Sequence, residues 1–125
     1  MARKKKTVYD NNLIDALKKL PLPIVDERHN AIVVLDDDRA RSNQGRFEHI
    51  SRSFHRLTQK DIESIPKGIT TNSKLKKDPV RKNTLNYYFP REGDRGHYIK
   101  ISVKIDKKNT HILRIKTIFI TTVIK

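Results

Sequence analysis

The chain has 125 residues, enough for one domain of about 100 residues and a short tail, and too few for a second independent core. Hydrophobic residues are 35% and charged residues 34% of the chain, yet the apolar residues gather into strong runs, which excludes a wholly disordered chain. No run approaches the roughly 18 apolar residues that span a bilayer, MARKKK lacks the apolar stretch of a secretory signal, and the absence of cysteine removes disulfides, thiol catalysis and cysteine zinc sites.

Residues 1–6 read as a basic tail, Arg3-Lys4-Lys5-Lys6, either a solvated terminus or a nucleic-acid-binding arm, and residues 7–125 as a single domain. From Asp10, the apolar positions Leu13, Ile14, Leu17 and Leu20 share one helical stripe that Pro21 stops. Pro21 to Pro23 read as extended linker. Ala31-Ile32-Val33-Val34-Leu35 is a continuous apolar run of strand length, closed by Asp36-Asp37-Asp38, and predicts a buried strand. Phe47, Ile50, Phe54 and Leu57, spaced three, four and three apart, predict a second helix over roughly 43–57. Thr58-x-x-Asp61 resembles a capping box opening a short helix that ends at Ile65-Pro66, and the rest of 66–82 reads as a basic loop.

The period then changes from 3.6 to 2. Leu85, Tyr87 and Phe89 alternate with Thr84, Asn86 and Tyr88 before Pro90; Ile99, Ile101, Val103 and Ile105 alternate with Lys100, Ser102, Lys104 and Asp106. Asp106 to Asn109 suits a tight hairpin, with Asn109 able to take a left-handed conformation, leading to a last strand from about His111. In it Leu113, Ile115 and Phe119 share a parity with Thr117 and Thr121, while Ile118 and Ile120 are apolar on the other. Either both faces are covered or a bulge shifts the register. The expected architecture is α+β, with N-terminal helices packed on one face of an antiparallel, mostly meandering sheet.

The net charge is +14, and all the excess lies after Asp38: residues 1–38 hold seven basic and seven acidic residues, residues 39–125 hold 21 and 7. Such a field favours a polyanionic partner, nucleic acid first, with an acidic protein or anionic membrane surface behind it. The sheet face away from the helices is expected to carry Asn86, Tyr88, Lys100, Ser102, Lys104, Arg114 and Lys116. Cations there would neutralise phosphates, and a ring could stack on an unpaired base.

The chain has no Gly-rich phosphate loop, His-Glu-x-x-His or Gly-x-Ser-x-Gly, so nucleotide hydrolysis, zinc proteolysis and hydrolase chemistry lack their usual supports. No two histidines stand three or four apart on one helix, so no metal site and no cofactor is expected. On the second helix His49, Arg52, Ser53 and Arg56 share a face, which places His49 at the seam between helix and sheet. An imidazole among arginines favours its neutral form and could act as general base on a ribose 2′-hydroxyl, with Arg or Lys stabilising the crowded phosphate. The plain alternative is a helix-edge histidine beside a solvated basic face. Arg91 and Arg95 flank a Gly-containing turn, as a bidentate phosphate clamp or an exposed basic turn. His29, His97 and His111 lie beside predicted turns and are assigned no role.

The succession AIVVLDD, FEHISRSFHRL, TQKDIESIPKGI, NTLNYYFPR, YIKISVKID and ILRIKTIFIT, over roughly residues 30–122, resembles the phage and polymorphic-toxin branch of the barnase, EndoU, colicin and RelE superfamily of ribonucleases, the BECR fold. The shared features are a His-Ile step on a helix (His49-Ile50), a second histidine (His55), and a last strand with a Thr-x-aromatic step (Thr117-Ile118-Phe119) followed by Thr121. The resemblance implies a metal-independent endoribonuclease, cleaving RNA by 2′-hydroxyl attack, with a helical histidine and polar strand residues around the scissile phosphate. On that reading His49, His55, Tyr88, Lys104, Thr117 and Thr121 are the candidate catalytic residues, and Arg52, Arg56, Arg91, Lys100, Arg114 and Lys116 the RNA-binding ones. The strand 98–106 departs from the barnase pattern in having no Glu, so His would have to be the base. The implied partners are RNA (tRNA, mRNA or rRNA) and an acidic immunity or antitoxin protein, with no membrane, and the implied site of action is cytoplasm, reached in some cases from another cell or a phage particle. The competing readings are a non-catalytic nucleic-acid-binding protein using the same face and a structural or phage-assembly protein.

Overall fold

The computed structural model describes residues 11–35 and 57–125, with residues 11–14 described by backbone alone. The basic tail lies outside them, as does the helix expected over 43–57 apart from Leu57, which is buried. Helix α1 (Asn11–Lys18) runs over the expected stripe, burying Ala16 and Leu17 and ending with Lys18 beside its negative C-terminal dipole.

Strand β1 (Ile24–Asp26) follows directly on the segment read as linker, and a 3-10 turn (Glu27–His29) ending in left-handed Asn30 (φ 54°) reverses the chain into β2 (Ala31–Leu35). The two strands pair antiparallel, Ile24 opposite Val33 and Asp26 opposite Ala31. The apolar run of β2 is not buried throughout: Ala31, Val33 and Leu35 enter the core while Ile32 is exposed, so this strand has one covered face.

After Leu57 the capping box is present as expected. Thr58 Oγ1 accepts from the Asp61 N–H at 3.2 Å and Asp61 Oδ2 accepts from the Thr58 N–H at 2.9 Å, opening α2 (Gln59–Glu63). Pro66 does not end the helical path. It occupies the first turn of α3 (Ile65–Lys67), where a missing N–H costs nothing, and the chain continues through a π-type turn, Gly68–Asn72. There the backbone approaches so closely that a Cβ on Gly68 would fall against the ring of Phe89. The segment read as basic loop contains strand β3 (Lys74–Lys77).

Strands β4 (Thr84–Pro90), β5 (Tyr98–Ile105) and β6 (Ile112–Thr121) form the expected meander, but within a larger, mixed sheet. Its order is β1-β2-β6-β5-β4-β3, and β2 runs parallel to β6, which corrects the purely antiparallel expectation. The class remains α+β. At the β5–β6 hairpin the left-handed conformation open to Asn109 is absent; Asp106 Oδ2 instead accepts the N–H groups of Lys108 and Asn109, and the left-handed asparagines are Asn30 and Asn83.

The register of β6 settles its mixed parity. Ser102 pairs with Thr117 but Val103 with Ile115, so Lys116 is the extra residue of a bulge. Before it Leu113 and Ile115 face the core, and after it Ile118 does. The core packs these with Tyr87, Ile99, Ile101 and Val103 against Ile62, Ile65 and Ile69 of the helical segment and Leu17 of α1.

One carboxylate lies in this core. Asp26, fully buried, accepts at Oδ2 from Tyr87 Oη at 2.6 Å and from His29 Nδ1 at 2.7 Å, while Oδ1 has no partner among the described residues. Burial, and then the hydrogen bond to Asp26, raise the Tyr87 phenol well above its ordinary range, so it remains a donor. Tyr87→Phe removes one of two donors from this carboxylate and is expected to cost about 1.5–3 kcal/mol, read as a lower urea midpoint at unchanged m-value.

Candidate functional site

The face opposite the described helices is built in cross-strand rows by β4, β5 and β6. Tyr88, Lys100 and Phe119 stand in one row, Asn86, Ser102 and Thr117 in the next, and Thr84, Lys104 and Arg114 in a third. Lys74 and Lys76 of β3 extend the first two rows at the sheet edge. The parity of β4 and β5 dictates these placements directly; those of Thr117 and Phe119 require the bulge at Lys116.

Lys100 is central. Its Nζ lies 5.0 Å from the Phe119 ring centroid and 5.8 Å from that of Tyr88, within range of a cation–π attraction to both. Tyr88 itself is only 1% exposed, so its ring is not the accessible stacking platform expected of an alternating strand. Its Oη and the Oγ1 of Thr117 are buried with no hydrogen-bond partner among the described residues. A buried hydroxyl left so costs about 1–3 kcal/mol.

Beside this pair runs a satisfied polar chain. Ser102 Oγ donates to Asn86 Oδ1 at 2.8 Å, and Asn86 Nδ2 donates to Asp78 Oδ2 at 3.1 Å. Asp78 Oδ1 accepts the N–H groups of Val80 and Arg81 at 2.9 and 2.8 Å. The Arg81 N–H first, then Asn86 and the Val80 N–H, with a smaller attraction from Lys100, pull its carboxyl down to about 2. Ser102 and Asn86 are thereby fixed in one orientation next to Thr117.

The expected site residues divide. Tyr88, Lys100 and Thr117 come together in adjacent rows; Lys104 and Arg114 face each other across β5 and β6, with Lys116 at the bulge. Thr121 stands apart, opposite Tyr98 at the far end of the sheet, its hydroxyl hydrogen-bonded to the backbone of Val123. Arg91 is committed within the fold: Nε and Nη2 donate to the two oxygens of Asp61, both at 2.9 Å, and Nη1 to Asp94 at 2.7 Å. Burial raises the Asp61 carboxyl, but Arg91 and the Thr58 N–H outweigh it and hold it below its ordinary value. His49, His55, Arg52 and Arg56 lie outside the described residues.

Sequence reasoning left three features out of the site. The Asp78-Asn86-Ser102 chain joins residues eight and sixteen apart, which only strand register reveals. Lys74 and Lys76 were hidden in a segment without apolar alternation. The Asp26–His29 pair had one available signal, its three-residue spacing into a turn. Among the described residues no group of three His, Asp or Glu side chains is placed to hold a metal ion, and no helix is long and apolar enough to cross a membrane. No protein-family model, curated protein or solved structure matches this chain.

A depressed carboxyl contributes stability above its unfolded pKa and loses it as pH falls through the folded value. With Asp78 at about 2 against an ordinary 3.8, part of the stability is expected to disappear between those values. Asp78→Asn should flatten the thermal-melting profile over that window, and an equally steep fall in the variant would assign the acid sensitivity to other carboxyls.

Proposed function

We propose that this face binds RNA and that the protein is a metal-independent endoribonuclease of the barnase, EndoU, colicin and RelE type. The observation that carries the reading is the ammonium of Lys100, within cation–π range of two rings and beside the hydroxyls of Tyr88 and Thr117, which have no hydrogen-bond partner among the described residues, on a face otherwise rich in cations. An ammonium and two O–H donors in adjacent cross-strand rows would suit what a phosphate acquires during 2′-hydroxyl attack, namely additional negative charge on its non-bridging oxygens. Lys100 takes the electrostatic role and Tyr88 and Thr117 the donor roles. His49 takes the proton from the 2′-hydroxyl and returns one to the leaving 5′-oxygen, leaving a 2′,3′-cyclic phosphate. Lys104, Arg114, Lys74 and Lys76 hold the flanking strand by its phosphates. An acidic inhibitor covering the same face is the protein partner this reading implies, and cytoplasm, where RNA is plentiful, its site of action.

A non-catalytic binding protein would use the same cations but have no need of the two hydroxyls. Incubation with total RNA in chelator separates the two: fragments ending in 2′,3′-cyclic phosphate are expected, whereas intact but retarded RNA would select the binding protein. Lys100→Ala and His49→Ala should each slow cleavage by about 10²-fold or more while RNA affinity changes by a few fold at most, since general acid–base and preorganised electrostatic contributions are of that size. Undiminished cleavage by either variant removes that residue from the mechanism.

A further inference from the structure

The hairpin end of the same face holds a cavity of about 340 Å³, walled by Lys104, Lys107, Lys108, Arg114 and Lys116 around Asp106. Among the described residues five cations thus surround one carboxylate, whose oxygens are already occupied. Its Oδ1 accepts from Arg114 Nε at 2.9 Å and Nη2 at 2.8 Å, and its Oδ2 takes the N–H groups of Lys108 and Asn109 at 3.0 and 2.9 Å. These bonds, the Asn109 N–H first and Arg114 second, hold Asp106 below its ordinary pKa, so it stays ionised and fixes Arg114 in place.

Lys104 and Arg114 are cross-strand partners on one face, and the carboxylate in the cavity pairs with Arg114 rather than with Lys104. The bulge immediately beyond brings Lys116 to the same cavity, and bulges commonly re-aim a side chain next to a functional site. Convergence of several cations on a concave locus is relieved by a compact anion with several acceptor oxygens. Separate carboxylates on a protein surface do not offer that geometry, and a phosphate does.

We propose that this cavity is a phosphate subsite for a single-stranded nucleic acid, holding the backbone beyond the Lys100 locus. Lys100 and Lys104 lie four residues apart on β5, which at about 3.3 Å per residue places the subsite some 13 Å along the sheet from Lys100. A strand lying across the face would meet this cavity at one end and Lys74 and Lys76 at the other. Lys107 and Lys108, which form the hairpin tip, thereby acquire a binding role. The identity of the anion rests on the RNA-binding reading; its capture does not require cleavage.

The test is binding of a labelled single-stranded DNA of about 12 nucleotides, which has phosphates but no 2′-hydroxyl and so stays intact. Lys107→Glu with Lys108→Glu is compared with Lys18→Glu with Lys19→Glu at the C-terminal end of α1, an equal change of charge elsewhere, and Lys107→Gln with Lys108→Gln serves as the milder variant. The hairpin variants should lose about tenfold or more in affinity and flatten the salt dependence by about 1.4, from two contacts at roughly 0.7 each, while the α1 variant changes far less. Equal losses in both pairs, or none in the hairpin pair, would overturn the subsite in favour of diffuse attraction. Displacement of the DNA by poly-glutamate at equal charge would overturn it in favour of an acidic protein. A selective hairpin effect in a protein that leaves RNA intact would sink the ribonuclease reading and keep the subsite.

Discussion

One inserted residue in β6 decides what both faces of the sheet are made of. With Lys116 bulged between the Ile115–Val103 and Thr117–Ser102 pairs, Leu113 and Ile115 enter the core from odd positions and Ile118 from an even one. An unbroken strand would send Thr117 and Phe119 into the core and turn Ile118 and Ile120 outward. The bulge therefore serves packing and site together: it keeps the branched side chains inside, and it sets Thr117 beside Ser102 and Phe119 beside Lys100.

The core it protects is small and contains a buried carboxylate. Asp26 is tied to Tyr87, 61 residues away, and to His29 at the end of β1, so this edge strand is held to β4, next to the opposite edge of the sheet, and to the turn that follows it by hydrogen bonds as well as by packing. Removal of one partner from such a group is costly because the other is left unsatisfied in a medium of low dielectric. Asp61 anchors the helical segment in the same manner, through its capping box and the two-pronged bond from Arg91. An arginine expected to meet phosphate is thus a fastener between α2 and the turn after β4.

The opposite face has a different economy. Among the described residues its cations outnumber its carboxylates: Arg114 is paired with Asp106, while Lys104 faces Arg114 and β3 presents Lys74, Lys76 and Lys77 along an edge. Edge lysines discourage pairing with another sheet, and this accounts for β3 without any ligand. It does not account for Lys104 opposite Arg114 within the sheet, nor for Lys100 near two rings beside buried hydroxyls that have no hydrogen-bond partner among the described residues.

The capping box, the period-2 strands β4 and β5, the first helix and the concentration of charge after Asp38 were all legible in the sequence, because each is a local pattern: a side chain satisfying a nearby N–H, an alternation, a stripe, a count. The polar composition of the outer face of β4 and β5 followed from the same alternation. The rest depended on partners distant in the chain. Strand β3 has no alternation of its own and exists because β4 offers it a ladder; the parallel pairing of β2 with β6 joins residues about 80 positions apart. Tyr88 read as an exposed ring and is buried, and Arg91 read as a phosphate clamp and holds two carboxylates. Parity assigns a side chain to a face, but only the packed sheet decides whether that face leaves it accessible, because burial and hydrogen-bond partners are set by what the neighbouring strands and turns bring to the same place.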